Sequence, residues 1–332
     1  MKTFEIATKK SRRKHLLKTI SLSLLIGFVF LFIGSWMVKM IYGARINSER
    51  ERYNLLTEIA YPNISHDGIK IQETGFFSGK IYYNLSKDIA GVPISFGQRE
   101  VYFTLFSMHY DPTQNSPGAS LDFLYDYSSN TKLPTFTEWG EKNQLKYLKD
   151  MDGQLVEVAI RFDKKYTLGQ IKQMIPENLK QNWYWIGTCH RDRTLVTPDE
   201  LFGFKEQSLR SFPADIPAEH QVEFKSGIQM MKEYIELSKK DKGSFDRFPL
   251  NDVEDYIAKF GDTDFTKQEE IDKLEFAGVI LTGPAENFVS LENQTWIASS
   301  SIGASIQNQP YYQLYMELIT KKIENACISA TI

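Results

Sequence analysis

The hydrophobic pattern of the chain begins with one long apolar run near the N-terminus. Thr19 to Val38 (TISLSLLIGFVFLFIGSWMV) contains no charged residue and lies between Lys18 and Lys39. A helix rises about 1.5 Å per residue, so this run spans about 30 Å, the thickness of the hydrocarbon core of a bilayer. The pattern predicts a single transmembrane helix over residues 19–41, with Thr19 and Val38 as the ends of the apolar span.

A cleaved secretory signal peptide is the alternative interpretation of this run. Signal peptides have an apolar region of roughly 7–15 residues that is followed by a small-residue cleavage site. Here the run is longer, it ends in bulky residues such as Trp36 and Met37, and only Gly43-Ala44 follows as a poor cleavage candidate. These features favour an uncleaved membrane anchor.

The pattern changes after the span. Residues 44–60 have a charged, helical composition and are predicted to continue the span as a helical stalk. Pro62 is expected to end this helix, because proline lacks an amide hydrogen and disfavours helix in the residue before it. Residues 61–150 are predicted to be strand-rich. Within them, residues 68–85 alternate β-formers with polar residues, and residues 99–110 (REVYFTLFSMHY) are predicted to form one long strand.

A polar, turn-rich connection is predicted at residues 111–135, and the clearest fold pattern lies beyond it, in residues 151–332. Thr167 is a candidate N-cap for a short helix that stops before Pro176. Strands are expected at 155–162, 182–188, 276–281 and 296–306, a long amphipathic helix at 219–239, and shorter helices at 251–260, 266–275, 285–292 and 310–327.

This order of elements predicts an α+β fold for the region. Two βαβ units are joined by a helical insertion, which is typical of a ferredoxin-like βαβ-α-βαβ arrangement. An open doubly wound parallel sheet is the alternative, although four strands are few for such a sheet.

Charge gives the span an orientation. Residues 1–18 carry seven Lys or Arg and one acidic residue. The positive-inside rule places this basic tail in the cytoplasm and the long C-terminal part outside it. Membrane lipid is the expected partner of the tail, and a docking peptide for a cytoplasmic protein is the alternative. The residues that set the topology are Lys9, Lys10, Arg12, Arg13, Lys14 and Lys18.

The remaining charge excludes one class of partner. The chain has a formal net charge of −3 although its tail is basic, so the region after the span is acidic overall. Binding to nucleic acid begins with neutralisation of phosphates by Lys and Arg. We therefore expect no nucleic-acid partner.

Candidate chemistry is sparse. The five histidines and two cysteines show no metal-ligand spacing, and no nucleophile motif occurs. We expect no metal site, no cofactor and no enzymatic activity. Cys189 and Cys327 allow either one disulfide or two thiols. The carboxylates of Asp152, Glu157 and Asp163 surround a predicted strand and are expected to be exposed for solubility.

An aromatic strand is the one candidate binding feature. Trp183 and Trp185 flank Tyr184. If they were exposed beside a groove, their rings could bind a ligand or a partner, but burial in a core or an interface is the commoner outcome for such residues.

Several segments together resemble a known family. They are the basic lead into the span (KKSRRKHLLKTISLSLL), the run GFFSGKIYYNLSKDIAGVPI with REVYF, the stretch from Leu155 to Trp185, and AGVILTGPAENFVSLE with WIASSSIGA. In this order they resemble the membrane-anchored sigma factor regulators (anti-sigma factors) of Gram-positive bacteria, across the N- and C-terminal regulator regions of that family.

The resemblance implies a regulator of an extracytoplasmic-function sigma factor with an ectodomain that senses the envelope. The chain departs from the family at its basic tail, which is too short to form the cytoplasmic inhibitory domain. We therefore expect an accessory subunit that acts with another membrane anti-sigma protein, a sensor that has lost its inhibitory domain, or a chain with a misassigned start. A cell-surface module that binds a wall polymer or a peptide, with no role in transcription, is the alternative function.

Overall fold

The computed structural model of the chain describes residues 2–75, 78–104, 108–110, 143–188, 201–211, 225–240 and 250–309. Four predictions lie outside these residues. They are the connection at 111–135, the closing helix at 310–327, and the states of Cys189 and Cys327.

One unbroken helix, α1 (Lys2–Ile59), contains both the predicted span and the predicted stalk. It ends just before Pro62, as expected. Residues 12–37 are exposed on every side of the helix, whereas the later part of α1 buries one face. The buried side chains recur at spacings of three, four and seven residues, which places them on one side of a helix. They include Ile46, Tyr53, Leu56 and Ile59.

The N-terminal sheet packs on this buried face of α1. Its strands are β1 (Ile64–Gly75), β2 (Ser78–Ile89), β3 (Val92–Thr104) and β4 (Met108–Tyr110), which pair antiparallel in that order. Alternate residues of β2, among them Ile81, Tyr83 and Leu85, are buried. The period of two along β2 therefore gives the sheet one core-facing side.

The prediction of one long strand over residues 99–110 is wrong. The chain reverses after β3, and β4 folds back so that Tyr110 pairs with Val101. The three residues between β3 and β4 are Leu, Phe and Ser, and only the serine is a typical turn residue. The alternating pattern on both sides of the reversal has the same period, so it could not reveal the turn.

The C-terminal sheet has five strands in the order β7-β6-β8-β5-β9. All of its neighbouring strands are antiparallel, so the doubly wound parallel sheet is wrong and a mixed fold of helices and sheets is confirmed. The strands are β5 (Gln154–Thr167), β6 (Lys180–Trp185), β7 (Gly203–Lys205), β8 (Glu275–Pro284) and β9 (Ile297–Gln307).

Helices connect these strands. Thr167 caps α2 (Leu168–Met174) through a capping box with Gln170, as predicted. The other helices are α3 (Gly227–Lys240), α4 (Leu250–Phe260) and α5 (Gln268–Ile271), with 3-10 turns at Leu145–Asp150, Glu206–Leu209 and Ala285–Leu291.

Two predicted helices differ from the structure. Of the helix predicted from 219 to 239, residues 219–224 lie outside the described residues. Helix α3 begins only at Gly227, after Ser226, whose Oγ accepts a hydrogen bond from the Gln229 amide at 3.2 Å. The helix predicted at 266–275 is only the four residues of α5, and strand β8 already begins at Glu275.

A single hydrophobic core joins α1 and both sheets. Along β5, Val156, Val158 and Ile160 face this core. Leu155 lies on the opposite face of the strand and packs with Ile89 and Val92, which flank the turn between β2 and β3. The N-terminal sheet therefore also touches the other face of the C-terminal sheet, and polar residues gather at that contact.

Candidate functional site

The turn between β2 and β3 carries the N-terminal sheet onto the C-terminal sheet. Ala90 and Gly91 form this two-residue turn, with φ angles of 54° and 90°. Two positive φ angles match the tight hairpin turns that suit the twist of neighbouring strands. The Gly91 amide donates to the Asp88 carboxylate at 2.7 Å, and the Ala90 amide donates to Thr282 Oγ1 of β8 at 3.0 Å.

A buried ion pair lies beside this turn. Lys87 Nζ is 2.7 Å from Glu157 Oε2, and the two side chains are only 1% and 0% exposed. The ammonium group also lies 4.2 Å from the centre of the Phe96 ring, a distance at which the ring face attracts a cation. The pair therefore joins β2 to β5 out of contact with water.

Both carboxylate oxygens of Glu157 accept further hydrogen bonds. Asn63 Nδ2 donates to Oε1 at 2.7 Å, and the Ala304 amide of β9 donates to Oε2 at 3.1 Å. A buried charge is tolerated when its lone pairs are satisfied in this way. Glu157 thus ties together β2, β9 and the segment just after α1. The expectation that Glu157 would be exposed is wrong, while Asp152 and Asp163 are exposed as expected.

A chain of amides and hydroxyls completes the contact. Asn182 of β6 donates to Asn63 Oδ1 and to the Asp88 carbonyl, both at 3.0 Å, and accepts from Thr282 at 2.7 Å. Asn63 itself has a φ of 52°, in the left-handed region that asparagine tolerates. We call this set of bridging residues the junction; its members are Asn63, Lys87, Asp88, Glu157, Asn182 and Thr282.

Two tyrosine rings join the buried end of α1 to the N-terminal sheet. The Tyr53 and Tyr83 rings pack with their centres 3.8 Å apart. Burial raises the pKa of the Tyr83 hydroxyl well above its ordinary value, and the charge of Glu49 adds to the rise, so the ring stays neutral.

Helix α1 also binds the C-terminal region. Lys205 Nζ of β7 lies 2.7 Å from the Glu58 carboxylate in the last turn of α1. The helix packs against α3 and β7 as well as against β1. Its end is therefore held by both sheets.

The chemistry of the junction is that of a fixed polar contact. Its members are amides, one hydroxyl, two carboxylates and an ammonium group, and they hydrogen-bond to one another across the two sheets. No group of three His, Cys, Asp or Glu that could hold a metal ion occurs in the part of the chain that the structure describes. The arrangement can hold the two sheets and the segment just after α1 in one relative position.

The predicted site residues lie elsewhere. Thr19 and Val38 lie in α1, in the one described helix that is long and apolar enough to cross a membrane. The predicted topology-setting basic residues lie on the N-terminal part of the same helix.

The predicted aromatic residues do not line a groove. Trp183 and Trp185 are 0% and 3% exposed, and they pack with Ala159, Leu201 and Ile280. A role of Trp183 and Trp185 as ligand or interface aromatics stays a prediction. Exposed rings would have favoured the binding module, but both of these side chains are buried.

The junction was not predicted from the sequence, although the sequence contains one signal for it. Lys87 lies in phase with Ile81, Tyr83 and Leu85, on the side of β2 that alternation predicts to be buried. A lysine at such a position requires a buried acidic partner. Asn63, Asn182 and Thr282 carry no comparable signal.

The chain matches two family models. Residues 6–94 match the family model described as "Sigma factor regulator N-terminal", and residues 148–304 match the model "Sigma factor regulator C-terminal". No curated protein and no solved structure showed a significant match. The two matched ranges cover well over half of the chain and meet at the junction, since Asn63, Lys87 and Asp88 fall in the first and the other members in the second. The chain belongs to the sigma factor regulator family.

Proposed function

We propose that this protein is a single-pass membrane regulator of an extracytoplasmic-function sigma factor. The region after the span lies outside the cytoplasm, responds to the state of the envelope, and passes its response through α1. The observation that carries the proposal is the continuity of α1: one helix contains the exposed apolar run and ends between the two sheets. Family membership supplies the regulatory role and suggests that it is non-enzymatic.

The mechanism follows from how α1 is held. An uninterrupted helix transmits rotation or displacement along its axis, because its backbone hydrogen bonds resist bending. The buried end of α1 contacts both sheets: Tyr53 packs on Tyr83 of the N-terminal sheet, and Glu58 pairs with Lys205 of the C-terminal sheet. A change in the relative position of the two sheets therefore moves the helix, and the movement reaches the basic tail across the membrane.

The tail needs a partner to act on transcription. We propose that this partner is the sigma factor itself or another membrane anti-sigma protein, with anionic lipid headgroups attracting the tail. Orientation with the N-terminus in the cytoplasm follows the basic residues on the N-terminal side of the span.

The finer description of the fold belongs to the same proposal. We propose that the C-terminal sheet has a ferredoxin-like arrangement, for which the strand order β9-β5-β8-β6 and the positions of α2 and the 3-10 turn Ala285–Leu291 are the support. The boundary near residue 150 between the regulator regions remains a prediction.

Co-purification tests the partner. The full chain, tagged and extracted in mild detergent from the cells that make it, is expected to bring down a sigma factor or its membrane-bound inhibitor. Repeated preparations that contain neither protein contradict the proposal.

A reporter driven by that sigma factor tests the mechanism. Lys87→Met removes the buried bridge of the junction, and Lys180→Met removes an exposed ion pair across the same two sheets. We expect only Lys87→Met to shift the basal reporter signal, at membrane protein levels matched by immunoblotting. Equal reporter signals from the two variants contradict transmission through the junction.

A further inference from the structure

The N-terminal sheet runs alongside α1 toward the membrane, and two ring contacts fix the alignment. Tyr53 packs on Tyr83 at 3.8 Å, and Tyr42 packs at 4.9 Å on Phe103, which pairs with Gly79. On the helix, Tyr53 lies eleven residues after Tyr42, which is a rise of about 16 Å. On β2, Tyr83 lies four residues after Gly79, which is a rise of about 13 Å. The strand and the helix are therefore close to parallel.

The sheet continues past Tyr42 toward the apolar span. Glu73 pairs with Gly79 at the level of Tyr42, and β1 runs two residues further to Gly75, which pairs with Ser78. Two residues of strand rise about 6.6 Å, which corresponds to about four residues of helix. The end of the sheet therefore reaches the level of Val38, the last residue of the apolar run.

The pattern of exposed and covered side chains along α1 independently places the end of the sheet near Val38. Residues 12–37 are exposed, and Val38 is the first described side chain of the helix that the rest of the protein partly covers. Tyr42 and Ile46 follow on the same face at spacings of four residues. Protein cover thus begins where the apolar run ends, and no exposed linker separates the sheet from the predicted membrane surface.

The chemistry of this end suits a lipid surface. Gly75 and Ser78 are neutral, and Gly79 lies against the Phe103 ring, with no room for a side chain. One residue further from the span, Lys80 Nζ lies 4.5 Å from the Tyr102 ring. Tyrosine and lysine are typical of the water–membrane interface, where an apolar body and a polar tip are both satisfied.

We propose that the membrane-side end of the N-terminal sheet, formed by Thr74, Gly75, Ser78 and Gly79, rests on the lipid headgroup layer beside α1. The inference depends on the proposed membrane anchoring and adds a second contact with the bilayer. Through this contact the headgroup layer touches the sheet that holds the end of α1, so the lipid surface itself is part of what the protein senses.

Lipid-borne quenchers test the contact. The full chain, with Cys189 and Cys327 replaced by Ser, is reconstituted in phosphatidylcholine vesicles that carry a nitroxide on the headgroup or in the acyl chain. A fluorophore is attached at Thr74→Cys or, as a matched exposed position in the same sheet, at Ser95→Cys. The two positions lie roughly 25 Å apart along the strands. We expect headgroup quenching of the Thr74 label to be several-fold stronger than that of the Ser95 label.

Two further positions separate the possible outcomes. Ser78→Cys is a second reporter of the sheet end, and circular dichroism confirms that each variant is folded. A label at Val38→Cys reports the span through the acyl-chain quencher. If Val38 is quenched while the Thr74 and Ser78 labels behave like Ser95, this inference is overturned and the proposed anchoring stands. If Val38 is not quenched, both fail.

Discussion

Two ion pairs bridge the N-terminal and C-terminal sheets at the same separation but in opposite surroundings. Lys87–Glu157 and Lys180–Asp88 both have a nitrogen–oxygen distance of 2.7 Å. The first pair is 1% and 0% exposed, and the second is 49% and 43% exposed. Water and ions screen the exposed pair, whereas the buried pair interacts at low dielectric. Because the two distances are equal, burial is what distinguishes the contributions to stability that we expect from the two pairs.

The buried pair is also the more demanding of the two. Removing charges from water costs several kcal/mol per ion, and only close geometry and additional hydrogen bonds offset that cost. Glu157 has such bonds from Asn63 and Ala304, and Lys87 has the Phe96 ring. The pair is satisfied only when β2, β5, β9 and the segment after α1 are all in place. It therefore specifies one arrangement of the two sheets.

The largest expected effect comes from breaking the two pairs separately. Lys87→Met leaves the Glu157 carboxylate buried without its cation, and we expect the free energy of unfolding to fall by about 3–5 kcal/mol. Lys180→Met leaves Asp88 in water, and we expect a loss of about 0–1 kcal/mol. Denaturant unfolding of the full chain in detergent, followed by tryptophan fluorescence, measures both values.

The lysine substitutions control for each other, because they remove the same group from the same interface. Losses of equal size would show that burial does not distinguish the pairs. A small loss for Lys87→Met alone would mean that Glu157 can find water or another donor, which the closed environment of the junction does not predict.

A double-mutant cycle measures the coupling energy between the two residues of each pair. Combining Lys87→Met with Glu157→Gln removes both charges and keeps an oxygen that can accept from Asn63 or Ala304. We expect the double variant to be more stable than the sum of the single effects predicts, by about 0.5–3 kcal/mol. The same cycle on Lys180→Met and Asp88→Asn is expected to give a smaller coupling energy. Additive effects at the buried pair would contradict a direct interaction.

Local features of this chain could be predicted from its sequence, whereas contacts between distant segments could not. The apolar run of α1 and the Thr167 cap depend on neighbouring residues, and the structure contains both. The reversal between β3 and β4 was not predicted because one serine after two large apolar residues is a weak turn signal. Glu157 was expected to be exposed although Val156 and Val158 flank it, since a charged residue in a strand is more often on a solvated face.

The junction is the extreme case of this limit. Lys87 and Glu157 are 70 residues apart in sequence, and Asn63 and Asn182 are 119 apart. Periodicity indicates that Lys87 faces inward, but it contains no information on which carboxylate it meets. The partner of Lys87 depends on how the turn at Ala90 and Gly91 packs on β8, which is a property of the assembled fold.

The smallest expected effect concerns an exposed ion pair away from the junction, and it measures how much such a pair contributes to stability. Hydrogen bonds from Lys267, at 2.8 Å, and from Thr266 lower the pKa of Asp264 from 3.8 to about 2. A carboxyl group with a lowered pKa stabilises the fold above its unfolded pKa and loses that contribution as the pH falls through its folded pKa. We therefore expect Asp264→Asn to be slightly less stable than the parent at pH 7, with the difference vanishing between about pH 4 and pH 2. Thermal unfolding of both proteins over this range measures the difference, and titration of the other carboxylates cancels in the comparison.

Lys267→Met is the control, because it removes the main cause of the pKa shift and should weaken the pH dependence. A stability difference between Asp264→Asn and the parent that stays constant down to pH 2 would show that the pair contributes nothing through its charge.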